Sequence, residues 1–318
     1  MTVLHISESE VRELLPMPVA IEAVEDVFRR LAAGEAMNVP RRRARTQHVI
    51  LHTMSAGCSG YGLVGFKAYT SSLQGNRFHV VIYDGTTGAM VAIIEADWLG
   101  QMRTGAASAV ATVYMARPDA REVGVFGSGT QARSQVRGIC AVRQVSEVRV
   151  YSPNQDHRES FARDMEPICG VPVLPVHRPE EAAMDMDIVV TATRSREPVL
   201  RGEWLSEGTH IVAMGSNALN RAELEVDVIR RADIIVADSV DQCQIEAGDF
   251  VTALDQGVLH WPRVLELADV VVGRQTGRPT AESITLFKSL GLAIEDLAVA
   301  SRVLELARER GLGRELPL

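Results

Sequence analysis

Val123-Gly124-Val125-Phe126-Gly127-Ser128-Gly129-Thr130-Gln131-Ala132 is the stretch that decides the fold of this chain. An apolar run breaks at glycine-x-glycine-x-x-alanine, and the next ten residues have no helix breaker before Gly138, so the order is strand, tight turn, helix. Each small residue has a physical reason. Gly127 permits the sharp turn off the strand, Gly129 lets a pyrophosphate approach the backbone, and Ala132 lets the helix pack close to the sheet. Thr130 and Gln131 open the helix, whose unpaired N–H groups and positive dipole end suit phosphate. Such a turn can serve packing alone. A second β-rich run at residues 145–151 supplies the βαβ context that favours a dinucleotide site.

The adenosine ribose is read about 20 residues beyond the motif, at the tip of that second strand. Ser152-Pro153-Asn154 stands there, without the acid that accepts ribose hydroxyls and without an arginine for a 2′-phosphate. Asp156 and Arg158 follow and point in opposite directions. The expectation is NAD, with NADP left open.

Outward from the motif, strands are expected at 171–176, 187–193, 210–215 and 233–238, with a helix at 179–184. Alternating helices and continuous apolar strands indicate a Rossmann doubly wound parallel sheet of the α/β class. Ligands gather at the carboxyl ends of such strands, so Gly127, Ser128, Ser152, Asn154, Thr193, Met214, Gly215, Ser216 and Asn217 are the candidate cofactor contacts.

The first hundred residues read differently. A short strand at 3–6 and two helices precede Pro40, the second helix with apolar residues at spacings of three and four. The cluster Arg41-Arg42-Arg43-Ala44-Arg45 follows, then strands at 49–54 and 61–70 and a hairpin around Asp84-Gly85. Alternation places Gly65 and Lys67 on one face of their strand, where a lysine beside a glycine either leaves room for a ligand or simply points to solvent. The small-residue helix Thr104–Ala111 can approach another backbone closely, with Thr104 as N-cap. Arg103 stands before it, where the helix dipole disfavours a cation unless an anion is near. Residues 285–300 read as a closing helix that packs back on this first part. The expected division is 1–117 for an α+β substrate-binding and dimerisation domain, joined by 296–318, and 118–295 for the nucleotide domain.

A net charge of −8 argues against nucleic acid or an anionic membrane as partner. The arginine cluster then reads either as a solvated surface run, or even a nucleic-acid patch, or as a site for a small anion, the reading preferred in an acidic protein. Four scattered cysteines form no C-x-x-C pair, so neither a metal site nor a disulfide framework is expected. No run reaches the length of a membrane span, and the N-terminus has no long apolar stretch, so a cytoplasmic protein is expected.

Arg103-Thr104-Gly105-Ala106-Ala107, the Gly127–Ala132 turn, Arg196-Glu197-Pro198-Val199-Leu200, Glu246-Ala247-Gly248-Asp249 and Phe287-Lys288-Ser289-Leu290-Gly291 together resemble the ornithine cyclodeaminase/mu-crystallin family over nearly the whole chain. The resemblance implies a homodimer whose active site lies between the N-terminal and Rossmann domains. It implies that Lys67 is the active-site lysine, Arg103 the arginine for the substrate carboxylate, and Arg41 or its neighbour Arg42 the arginine of the N-terminal segment. The family's cyclodeaminase and alanine dehydrogenase carry an aspartate where this chain has Asn217. An amide is no carboxylate base, so ornithine deamination is disfavoured. The expected activity is NAD(P)H-dependent reduction of a small 2-imino acid, reversibly an amino-acid dehydrogenase, with Lys67 and Arg103 catalytic. Because the arginine cluster and nearby His52 exceed what one carboxylate needs, a dicarboxylic substrate such as iminosuccinate is expected. The alternative is an ammonia lyase that uses NAD without net redox.

Overall fold

The computed structural model describes residues 2–317. The chain divides into two compact units, residues 1–106 with 291–318, and residues 107–290.

The first unit is built on a seven-stranded sheet. Its strands are β1 (Thr2–Ile6), β2 (Ala36–Arg45), β3 (Ile50–Cys58), β4 (Leu63–Ser72), β5 (Gly75–Asp84), β6 (Met90–Glu95) and β15 (Arg314–Pro317). They lie in the order β15-β1-β6-β5-β4-β3-β2, antiparallel except where β1 runs parallel to β6. Helices α1 (Glu8–Leu14), α2 (Met17–Ala32) and α10 (Ala293–Arg310) accompany this sheet. Val24, Val27 and Phe28 of α2 are buried on the stripe that their spacing predicts. α10 packs on α2 and across β2, β3, β4 and β5. Gly65 of β4 is required there, because a Cβ would stand 2.7 Å from the Val81 carbonyl and 3.1 Å from Leu297 of α10.

α3 spans Asp97–Met115, so Arg103 and Thr104 sit inside a helix and not at its start. Thr104 is not an N-cap: its hydroxyl donates to the Gly100 carbonyl at 2.7 Å. The helix is instead started by a distant group, since the Glu8 carboxylate accepts the amides of Asp97 and Trp98 at 3.2 and 2.9 Å. The division of the chain falls within α3, after residue 106.

The second unit is an eight-stranded, wholly parallel sheet. Its strands are β7 (Glu122–Phe126), β8 (Glu147–Tyr151), β9 (Val173–Pro175), β10 (Ile188–Thr191), β11 (His210–Ala213), β12 (Ile234–Ala237), β13 (Val264–Glu266) and β14 (Thr285–Lys288). Their order is β13-β12-β14-β11-β10-β7-β8-β9. Every residue of β10, β11 and β14 is buried, as strands covered on both faces must be. The intervening helices are α4 (Thr130–Val142), α5 (Gln155–Cys169), α6 (Val226–Arg231), α7 (Val240–Glu246), α8 (Gly248–Asp255) and α9 (Leu267–Val271). From β7 the chain moves outward to β8 and β9, then returns to β10 on the other side of β7. The switch point of this Rossmann-like sheet is therefore at the carboxyl ends of β7 and β10.

Two sequence expectations are corrected here. Residues 285–300 are not one helix: Thr285–Lys288 is β14, paired between β11 and β12, and α10 begins only at Ala293. A short apolar run is compatible with either state, and the sheet decides. The helix expected at 179–184 is a single 3₁₀ turn, Pro179–Ala182.

Candidate active site

In the second unit, the turn after β7 fits a dinucleotide. Gly127 has φ 103°, and a Cβ on it would stand 2.5 Å from the Ala192 carbonyl at the exit of β10. Its glycine is therefore demanded by the fold. Gly129 is different. It has ordinary φ, and a Cβ there would meet nothing within 4 Å. Open space beside the first turn of α4, which carries no acid and no side-chain cap among the described residues, suits a pyrophosphate. Gly129→Ala is accordingly expected to leave the melting temperature unchanged while weakening NADH binding about 10-fold or more, about 1.4 kcal/mol; nucleotide fluorescence titration beside a thermal melt checks both.

Around that turn, Thr130 is exposed and Ala132 buried. The Gln131 carbonyl and side chain accept from the Ser134 hydroxyl, and Arg133 holds the Ser128 carbonyl at 2.6 Å. At the tip of β8, Ser152 is buried and its carbonyl accepts from Arg158 at 2.9 Å. Asn154 spends its side-chain carbonyl on the His157 amide as the cap of α5.

The tips of β10 and β11 are tied together by a residue that the sequence did not single out as functional. Glu223, fully buried, accepts from the Thr191 hydroxyl at 2.9 Å and from the amides of Thr193 and Gly215 at 2.6 and 2.7 Å. Burial, the nearby Asp249 charge and, against them, Lys288 leave its carboxyl above the usual range. Asp249 in turn accepts the amides of Glu223 and Leu224, and its other oxygen takes Lys288 Nζ at 2.7 Å. Lys288 also donates to the Ser216 carbonyl at 2.8 Å. Met214, Gly215 and Ser216 are thus held by a buried acid–lysine brace, and Asn217 projects from it exposed.

In the first unit, one sheet face and two helices assemble a buried cluster of charge. β2 contributes Arg41, β4 contributes Lys67, α3 contributes Arg103, and the first turn of α10 contributes Glu295 and Asp296. Lys67 Nζ donates to Asp296 Oδ1 at 2.7 Å, and Arg103 Nε donates to the same oxygen at 3.1 Å. Arg103 Nη1 reaches Glu295 Oε2 at 2.9 Å. Arg41 donates to the Gly291 carbonyl at 3.4 Å. Gly291 has φ 77°, and a Cβ would lie 2.4 Å from Arg103 Nη1, so glycine is needed for the turn and for the arginine alike. The acids belong at this helix start, where the dipole favours them.

Lys67 is 3% exposed. Burial pulls its ammonium down, Asp296 opposes this, and Arg103 and Arg41 add to it, leaving a pKa of about 8. His52 lies on the neighbouring strand, its ring stacked on Tyr69 at 4.2 Å and its Nε2 3.2 Å from the Ser71 hydroxyl. Burial, then the charges of Arg43 and Arg41, lower its pKa to about 4. His52 is therefore a neutral hydrogen-bonding group at physiological pH and adds nothing to the cationic charge, contrary to the sequence reading. Arg42 is exposed, so it is Arg41 that the fold brings to the cluster.

Glu295 and Asp296 went unassigned from sequence, although two acids inside an apolar run demand partners once buried.

A doubly wound sheet with an open glycine turn belongs to the class of dinucleotide-binding folds, and the same chain buries a lysine among arginines and acids. The family model of the ornithine cyclodeaminase/mu-crystallin family matches residues 2–311, and the chain belongs to that family. It is similar to the Δ(1)-pyrroline-2-carboxylate reductase of Thermococcus litoralis, solved with NADH and L-proline: 33% identity, TM-score 0.95, covering 99% of this chain and 100% of that one. An archaeal alanine dehydrogenase dimer with bound NAD is 32% identical, with TM-score 0.93 and full coverage of both chains, each 100%. The iminosuccinate reductase of Paracoccus denitrificans, solved with NAD+, is 30% identical, with TM-score 0.94 and 100% of both chains covered. No helix among the described residues is long and apolar enough to cross a membrane.

Proposed function

We propose that this chain is an NAD(H)-dependent reductase of a small 2-imino acid, running in reverse as an amino-acid dehydrogenase. The observation that carries the proposal is the buried Lys67 ammonium, brought towards neutral pKa between two arginines and a carboxylate. The glycine turn and the first turn of α4 would hold the cofactor's pyrophosphate, and the reduced nicotinamide would supply a hydride to the imine carbon. Arg41 and Arg103 bind the 2-carboxylate by charge-assisted hydrogen bonds. Lys67 passes a proton to the imine nitrogen, which makes the adjacent carbon electrophilic, and recovers one from solvent. Like the archaeal alanine dehydrogenase, the chain assembles as a dimer.

The cluster holds three cations, Arg41, Lys67 and Arg103, against two acids, Glu295 and Asp296, a balance that suits one carboxylate. A second carboxylate, as in iminosuccinate, would be read by exposed Arg42 or Arg43. Arg42→Ala is then expected to raise KM for iminosuccinate, formed from oxaloacetate and ammonia, and to leave KM for pyrroline-2-carboxylate unchanged. Equal values before and after leave a monocarboxylic substrate.

The test of the activity itself is a screen of glyoxylate, pyruvate and oxaloacetate with amines, and of cyclic imines, followed by NADH absorbance. Reduction is expected to decline above about pH 8, as Lys67 loses the proton it donates, and amino-acid oxidation to rise there. Ammonia release from an amino acid with no net change in NADH would instead establish the lyase reading.

A further inference from the structure

We propose that Asp296 is a positioning residue for this reaction, one carboxylate oxygen holding both the Lys67 ammonium and the Arg103 guanidinium in a fixed array from which the lysine exchanges its proton. The inference rests on the imino-acid reading above and adds to it the group that governs Lys67.

The geometry is specific. Both donors meet at Oδ1, at 2.7 and 3.1 Å, while the buried Oδ2 has no hydrogen-bond partner among the described residues. Space around the contact is also kept open. A Cβ on Gly100 would stand 3.2 Å from Lys67 Nζ, and the rings of Tyr69 and Phe78 lie 6.0 and 5.5 Å from it as an apolar wall.

The choice of lysine supports the same reading. Of the 33 lysines and arginines in the sequence only two, Lys67 and Lys288, are lysine, and both are buried. Exposed cations in this chain are all arginine, so lysine is kept where a compact or titratable charge is needed. At Lys67 the charged neighbours are Arg41 from β2, Arg103 from α3 and Asp296 from α10; Glu295 of α10 pairs with Arg103, and His52 of β3 is neutral. Among the groups that act on Lys67, Asp296 supplies the attraction, while burial and both arginines oppose the charge. Without Asp296 the lysine would hold its proton less firmly and serve less well as donor. The step balances: an N–H bond of the ammonium breaks as one forms on the imine nitrogen, and solvent returns the proton.

The test uses the whole protein carrying ¹³Cε-labelled lysine. Two lysine signals are expected, and Lys67→Arg removes one and so assigns it. In the unaltered protein the Lys67 signal titrates near pH 8. In Asp296→Asn, which removes the charge and keeps the shape, the midpoint is expected to fall by about 1 pH unit or more. The falling limb of kcat/KM for imine reduction should move by the same amount, and Asp296→Glu should restore part of both. An unmoved midpoint in a variant that melts like the parent overturns the proposal. If the parent protein turns over no imino acid while the midpoint still moves, the activity reading fails and the hold of Asp296 on Lys67 stands.

Discussion

Lys67→Met is expected to lower kcat/KM for imino-acid reduction by about 10²–10⁴-fold, the range of a lost general acid. Methionine keeps an unbranched apolar chain of nearly the same length and removes the terminal ammonium with its proton. Asp296 keeps Arg103 as partner in this variant, so the fold survives and the loss is chemical. Affinity for NADH should be unchanged, because the glycine turn belongs to the other unit. Lys67→Arg is expected to be nearly as poor, since a guanidinium stays protonated throughout the working range. Steady-state kinetics with the best substrate from the screen, beside NADH titration, separate these effects. Comparable losses of turnover and of NADH affinity would point to a folding defect and count against the assigned role.

The second large effect is on stability. Lys288→Met is expected to cost about 3–5 kcal/mol, the penalty for stripping one member from a fully buried ion pair. Lys288 and Asp249 are both inaccessible, and Asp249 lies against Glu223, itself buried. Removing the only lysine in that network leaves two carboxyl groups facing each other without water. One of them then takes up a proton, so the variant should recover part of its stability as the pH falls. The Ser216 carbonyl also loses its donor, and with it the β11 tip loosens. Urea unfolding at several pH values measures the first effect and NADH affinity the second. Lys288→Met combined with Asp249→Leu should be less damaging than the single change, because an apolar pair leaves less buried charge uncompensated.

How far these features could be read from sequence depended on how local their causes are. The turn at Gly127 and Gly129 was legible because strand end, glycine spacing and helix start are adjacent in the chain. Alternation along β4 set Lys67 on the face of Gly65 without deciding between ligand and solvent, and only the family resemblance pointed it to the site. Arg103 was placed at a helix start for want of Glu8, a cap some ninety positions upstream. β14 was mistaken for helix because four apolar-flanked residues carry no period of their own. The arginine run promised a dense cationic pocket. The strand turns Arg42 to solvent, and burial holds His52 neutral. The acids that balance the cluster come from the far end of the sequence, where only the folded chain brings Asp296 to Lys67.

The proposed activity requires net reduction at carbon. Incubating the enzyme with the imino acid and NADH labelled with deuterium at the transferred position, then reading the amino-acid product by mass spectrometry and NMR, decides it. One deuterium at Cα for each NADH consumed is the predicted result. No deuterium at Cα, with the NADH left unconsumed, would contradict it.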